Sequence, residues 1–279
     1  MPVTLLGAAE IRALAADLDV TPTKKLGQNF VVDANTVRKI VTAARVTSAD
    51  RVVEVGPGLG SLTLAILETG APVTAVEIDH RLAERLPATA AAHGVPDGAL
   101  TVVAEDALRV SELPGDPDVL VANLPYNVSV PVLLHFMEHF PTIQRGVVMV
   151  QAEVGERLAA PSGSKVYGAP SVKAAWYGTW RLAGTVSRQV FWPVPNVDSV
   201  LVGFERDTDA RGTEEERLRT FAIVDAAFQQ RRKMLRQALS GVLGGSSAAA
   251  SDVLARAGVA PTARGEELTI EDFVRIARA

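Results

Sequence analysis

Arg51-Val52-Val53-Glu54-Val55-Gly56-Pro57-Gly58-Leu59-Gly60 is a β-rich run entering a glycine turn, and a helical stretch, Leu62 to Glu68, follows directly. Gly56, Gly58 and Gly60 lack side chains, so the backbone there can approach a ligand closely, and the helix start offers unpaired amides. The spacing is G-x-G-x-G and not the dinucleotide G-x-G-x-x-G, so a tight structural turn accounts for the same residues.

Outward from this unit the pattern repeats. Val73 to Ile78 reads as a strand and Arg81 to Ala92 as a helix; Leu100 to Ala104, Val119 to Ala122, Val147 to Val150 and Ser199 to Phe204 read as further strands. Strands alternating with helices predict βαβ units and a parallel sheet covered on both faces, an α/β fold. Ligands of such sheets bind beyond the carboxyl ends of the strands. From Asp207 to Glu216 the chain turns polar and charged, as a linker does. Beyond it, Leu218, Phe221, Val224, Phe228, Leu235 and Leu239 recur at helical spacing up to Gly241 to Ser247. Ser251 to Ala257 and Ile270 to Ala277 read as short helices, the last with Thr269 as N-cap and Asp272 completing a capping box. The expected organisation is a large α/β domain over residues 1–206 and a small helical domain over 207–279.

Composition bounds the function only loosely. The chain has 279 residues, 48% of them hydrophobic, enough for a core, and no apolar run approaches the ~20 residues that span a bilayer. Met1 to Asp19 holds three acids and one Arg, unlike a secretory or transit leader, and the absence of cysteine rules out disulfides and agrees with a cytoplasmic home. A net charge of −4 leaves a nucleic-acid partner open, since a local basic patch can carry phosphate contacts.

The chemistry gathers at strand ends. Glu77 ends the strand after the glycine turn, where an acid accepts from two ribose hydroxyls, and Asp106 follows the third strand, placed to accept from an adenine amine. A ligand of adenine, ribose and a polar tail suits all three features, which fits NAD as well as S-adenosylmethionine. Asn123-Leu124-Pro125-Tyr126, after the fourth strand, separates the two. The amine of adenine is a poor nucleophile because its lone pair is delocalised into the ring. Acceptors for both amine hydrogens, the Asn123 side-chain oxygen and the Leu124 carbonyl, favour the pyramidal geometry needed for attack. Pro125 stiffens the turn and Tyr126 offers a stacking face. Displacement at a sulfonium methyl then needs positioning more than a strong base.

Asn123 to Tyr126 with Asn127-Val128-Ser129 resembles the fourth motif of the ribosomal RNA adenine dimethyltransferases. Lys25-Leu26-Gly27-Gln28-Asn29-Phe30 resembles that family's N-terminal motif, Val53 to Gly60 its cofactor loop, and Phe191 to Ser199 its F-x-P-x-P-x-V-x-S segment. Phe228 to Lys233 and Arg264 to Leu268 resemble its C-terminal domain. The resemblance covers about Lys24 to the C-terminus and is nearest to the small-subunit branch. It implies a Rossmann-like class I methyltransferase sheet with a small helical RNA-contacting domain. S-adenosyl-L-methionine would be the donor and S-adenosylhomocysteine the product, with two adjacent adenines of a hairpin near the 3′ end of 16S rRNA, in the assembling small subunit, as substrate. Carried over by position, Asn29, Val31, Gly56, Gly58, Glu77, Asp106 and Asn123 would contact the cofactor, and the Phe191 ring would help clamp the target base. The chain departs from the family at Glu105, where Gly is common, at Val130, where Thr is usual, and at Ala169-Pro170, where Arg-Leu is common.

Arg231, Arg232, Lys233 and Arg236 cluster on or beside the helix of the second domain; a solvated face and phosphate contact both fit, and the family segment favours phosphate. Lys24 and Lys25 flank the N-terminal motif and could add to this. Trp176, Tyr177 and Trp180 are expected to pack on the sheet. The His residues show no ligand spacing and the acids no metal cluster. A monomer without membrane attachment is expected. Three other readings compete: a large-subunit methyltransferase of the macrolide-resistance type, usually strongly basic where this chain has pI ≈ 5.7; a non-catalytic RNA-binding assembly factor; and, more distantly, a dehydrogenase.

Overall fold

The computed structural model describes residues 2–20, 29–125 and 127–279; Tyr126, Lys24, Lys25, Leu26, Gly27 and Gln28, all named above, lie outside these residues. In chain order the elements are α1 (Ala8–Asp17), β1 (Phe30–Val31), α2 (Ala34–Ala43), β2 (Val52–Val55), α3 (Ser61–Leu67), β3 (Val73–Val76), α4 (His80–Ala92), β4 (Leu100–Val103), β5 (Val119–Asn123) and α5 (Ser129–His139). There follow β6 (Arg145–Gln151), α6 (Ala152–Leu158), α7 (Ala169–Ala175), β7 (Gly178–Val186), β8 (Phe191–Trp192), β9 (Ser199–Arg206), α8 (Glu214–Gln229), α9 (Leu235–Ala238), α10 (Ser247–Arg256) and α11 (Ile270–Arg278). No helix among the described residues is long and apolar enough to cross a membrane.

The main sheet has seven strands in the order β4-β3-β2-β5-β6-β9-β7. The pairs from β4 through β6 are parallel, in register from Val52↔Val73 to Asn123↔Met149. Every residue of β2 and β3 is buried, as in a strand covered on both faces. The order reverses between β2 and β5, which places the topological switch beside the glycine turn. One expectation needs amending: β9 pairs β6 antiparallel, Arg145↔Glu205 to Gln151↔Ser199. The close approach of β5, β6 and β9 depends on Gly146, where a Cβ would stand 2.2 Å from the Leu120 carbonyl oxygen and 2.6 Å from the Phe204 ring.

A separate two-stranded ribbon joins β1 to β8, Phe30↔Trp192 and Val31↔Phe191, with the Phe30 and Trp192 rings stacked at 6.2 Å. One face of the core is built from Val31, Val37, Ile40, Ile66, Val121, Phe191 and Leu201 among others. A second cluster packs Leu6, Ile11 and Leu14 of the N-terminal segment on Phe30, Leu59, Leu64 and Leu82. His93 ties that segment down: Nδ1 lies 3.0 Å from the Thr4 carbonyl and Nε2 3.0 Å from a Glu10 carboxylate oxygen.

The chain packs as two compact units, residues 1–155 with 181–206, and residues 156–180 with 207–279. The sequence puts its boundary after 206 alone; in the structure the 156–180 segment also clusters with the later helices. Its aromatic side chains explain why. Tyr167 meets Phe228 and donates to the Leu268 carbonyl at 2.8 Å, while Trp176 and Tyr177 stand edge-on to Phe221. Those two rings therefore pack on α8, and Trp180 Nε1 donates to the Ala174 carbonyl. Thr213 with Glu216 and Thr269 with Asp272 form the capping boxes that start α8 and α11. The helical run expected through Leu239 is broken: α8 stops at Gln229, where Gln230 leaves helical geometry, and at the start of α9 the Leu235 and Arg236 amides bond to the carbonyls of Ala263 and Pro261.

Candidate functional site

A cavity in the first unit opens at the carboxyl ends of the parallel strands, and the residues singled out in the sequence line it: Asn29, Val31, Gly56, Gly58, Glu77, Asp106, Asn123, Leu124 and Pro125. They come from five separate segments of chain, and one sheet edge brings them together.

The turn after β2 is conformationally demanding. Gly56, Gly58 and Gly60 have φ of 70°, 58° and 98°, the left-handed region that glycine enters at no steric cost. A Cβ on Gly58 would also come within 2.9 Å of the Phe30 ring. The turn is thus pressed against the N-terminal motif, leaving backbone alone toward the cavity.

Glu77, at the end of β3, is 5% exposed. Its Oε2 accepts from the Gly58 amide and its Oε1 from the Asp79 amide, each at 3.0 Å. Burial raises its carboxyl above the usual range, while those two amides pull the other way. Asp106 sits after β4, where its Oδ1 accepts from the Leu108 amide at 2.9 Å, and the residue lines the cavity. Asn123, the last residue of β5, donates from Nδ2 to the Asn29 carbonyl at 3.1 Å. A carbonyl can only accept, so this contact orients the amide and turns Oδ1 elsewhere. Leu124 is 1% exposed and its amide is spent on the Met149 carbonyl.

Phe191 is placed differently from the expectation. It is 2% exposed, forms part of the core and does not line the cavity. Its strand pairs with Val31, so here it anchors the β1–β8 ribbon. Arg231 also differs: Nε holds Glu266 at 2.6 Å and Nη2 donates to the Lys165 carbonyl, so this side chain is committed within its own unit. Arg232, Lys233 and Arg236 are exposed.

Among the cavity residues that were not legible as site residues, three stand out. Ile78, an apolar side chain 53% exposed beside Glu77, lies on the wall. Ser61 and Glu54 line it from α3 and β2, and Ser61 Oγ and Glu54 Oε2 are buried without a partner. A carboxyl in the otherwise apolar run Val52-Val53-Glu54-Val55 was the available signal for the last.

The geometry suits a ligand that combines an adenosine with a polar, cationic tail. Acids stand at two successive strand ends, a bare backbone turn lies beside the first of them, and unsatisfied polar atoms wait at the inner wall. It also suits a second, aminated planar group at Asn123.

Comparison with known proteins agrees. Residues 21–279 match the family described as ribosomal RNA adenine dimethylase. The chain is 68% identical over 275 residues to a ribosomal RNA small subunit methyltransferase A of Leifsonia xyli subsp. xyli, covering 98% of each chain. It is 60% identical over 279 residues to the protein of that name from Streptomyces coelicolor, covering 99% of this chain and 97% of the relative. Among solved structures it is similar to a dimethyladenosine transferase from Plasmodium falciparum, with TM-score 0.75 and 25% identity over 88% of this chain and 94% of that one. It is also similar to the 23S rRNA methyltransferase ErmE, with TM-score 0.66 and 25% identity over 89% and 98%. The fold is the Rossmann-like α/β fold of class I methyltransferases.

Proposed function

Because the chain belongs to the ribosomal RNA adenine dimethylase family, we propose that it transfers methyl groups from S-adenosyl-L-methionine to the N6 amine of adenines in small-subunit rRNA. The observation that carries this is the meeting of Asn123 with the N-terminal motif at Asn29, on the wall of the same cavity that holds Glu77 and Asp106. The acids accept from the donor's ribose and adenine. The glycine turn lets its tail lie against backbone, with Asn29 and Val31 flanking. The bound donor supplies an electrophilic sulfonium methyl.

The protein's part is to hold the target amine in line with that methyl. Asn123 Oδ1, freed by the Nδ2 contact with Asn29, accepts one amine hydrogen, and the Leu124 carbonyl accepts the other. Pro125 fixes the turn and Tyr126 provides the stacking face. Held this way, the nitrogen lone pair leaves conjugation and points at the methyl, so orientation supplies most of the acceleration. Arg232, Lys233 and Arg236 take phosphates of the RNA. The finer reading is two adjacent adenines in a hairpin near the 3′ end of 16S rRNA, modified in the cytoplasm by a monomer on assembling subunits. The high identity to proteins named for the small subunit favours this over large-subunit methylation.

The test is incubation with labelled donor and small subunits lacking the modification, followed by nucleotide mapping. Dimethyladenosine at two adjacent positions near the 3′ end is expected. Label confined to large-subunit RNA, or none, would overturn the reading.

A further inference from the structure

Trp192 follows Phe191 at a position that the F-x-P-x-P-x-V-x-S pattern leaves open. It is the partner of Phe30 across the β1–β8 ribbon, and the two rings stack with centroids 6.2 Å apart and planes at 25°. The Phe30 ring lines the cavity and lies against the glycine turn. A Cβ on Gly58 would stand 2.9 Å from its Cε1 and 3.1 Å from its Cδ1. One residue earlier, the Asn29 carbonyl accepts the Asn123 side-chain amide at 3.1 Å. Two adjacent residues thus meet the two halves of the site, one at the donor turn and the other at the proposed target acceptor.

The ribbon that carries this stretch is slight. β1 and β8 have two residues each, and so short a ribbon holds together through its cross-strand side-chain pairs more than through its ladder. The buried side chains clustered with Phe30, among them Leu6, Ile11, Leu59, Leu64 and Leu82, are aliphatic. Aliphatic groups fill volume and exclude water, but they set no plane. A second ring does, because stacked aromatic pairs prefer particular tilts and separations.

We infer that Trp192 is a positioning residue for methyl transfer, acting through Phe30. This rests on the donor and target readings above. Trp192 is not among the residues that line the cavity, so its part is to brace. By fixing the tilt of Phe30, it holds that ring against the Gly58 turn, where the donor's tail lies. By fixing the backbone at Phe30, it also keeps the Asn29 carbonyl where it orients the Asn123 amide, and with it the Oδ1 offered to the target amine. A misplacement of about 1 Å between reacting groups can cost ~10²-fold in rate, so a brace common to both sides acts on the chemistry as well as on binding.

The test uses the full chain with Trp192→Leu, which keeps apolar bulk without a plane, and Trp192→Phe, which keeps a ring. Calorimetry gives donor affinity. Single-turnover methylation of undermethylated small subunits, with donor and RNA saturating, gives the chemical step. Trp192→Leu should keep a near-native Tm yet lose several-fold to about tenfold in both affinity and rate, the scale of one aromatic pair. Trp192→Phe should restore both. In a Phe30→Leu background, Trp192→Leu should cost little more, since residues that act as one unit are not additive. Native affinity and rate in Trp192→Leu would overturn the assignment, and so would losses that add in the double variant. Trp192→Met, apolar and unbranched, takes the place of a leucine variant that fails to fold. A native protein that binds no donor would instead sink the donor reading on which this rests.

Discussion

Asn123 donates its side-chain amide to the backbone carbonyl of Asn29, 3.1 Å away and 94 residues earlier in the chain. The bond joins the proposed catalytic motif to the N-terminal motif and fixes which end of the amide is left for substrate. Asn123→Ala removes the acceptor for the target amine and should cut single-turnover methylation at least ~10²-fold, the scale of one preorganised contact to a transition state. On sequence alone Asn123→Asp is the milder change, since it keeps an acceptor. The contact with Asn29 reverses this, because an aspartate would set a carboxylate oxygen against that carbonyl, so Asp should lose about as much as Ala. Native rates in Asn123→Ala, with donor and RNA saturating, would remove this motif from the chemistry.

Glu77 holds the glycine turn as well as the proposed ribose site. Glu77→Ala should therefore weaken donor binding by about 1.5–3 kcal/mol, the range for a charge-assisted hydrogen bond, with the fold retained. Calorimetry checks the first part and thermal denaturation the second. Unaltered affinity would leave Glu77 as a brace for Gly58 alone.

Stability should fall with pH across the range set by Glu54. Its folded value of about 8 lies above the ordinary 4.5, so between these the folded chain binds more protons than the unfolded one. The contribution is fully present below about 4.5, is lost progressively as pH rises and is gone above about 8. Glu54→Gln should flatten this part of the Tm profile and be the more stable protein at the alkaline end. An unchanged profile would show that Glu54 ionises normally.

The basic cluster should divide in two. Replacing Arg232, Lys233 and Arg236 with uncharged residues should weaken RNA binding, flatten its salt dependence and leave donor affinity alone. Arg231→Ala should instead lower the stability of the second unit, since it breaks the pair with Glu266. Its half-exposed position keeps that loss small. Equal salt slopes for all four changes would return the whole cluster to ordinary surface.

How far the sequence reached follows from what each signal depended on. The glycine turn, Glu77, Asp106 and Asn123 were legible because each lies at the end of a run whose period announced a strand, and backbone geometry carries such residues to one edge. The place of Phe191 was not legible since a two-residue strand gives no period, and only its burial in the core shows where the ring packs. Arg231 looked like its neighbours until Glu266, 35 residues away, claimed it. Trp176 and Tyr177 are apolar enough for either partner, and composition cannot choose between a sheet and α8. Ile78 was hidden for the opposite reason: an exposed aliphatic side chain leaves no pattern of its own.

The strand order has a consequence for how this chain is made. β9 lies between β6 and β7, so β7 leaves synthesis before the strand that attaches it to the sheet exists. The β1–β8 ribbon has the same character, for Val31 waits for Phe191. A nascent chain cut short near residue 190 would have its glycine turn and its acids, yet lack the ribbon that holds Asn29 beside them. Long-range pairings of this kind form slowly, because a large loop must close before any contact rewards it. The side of the cavity that Asn29 to Val31 supply is therefore among the last parts of the first unit to form.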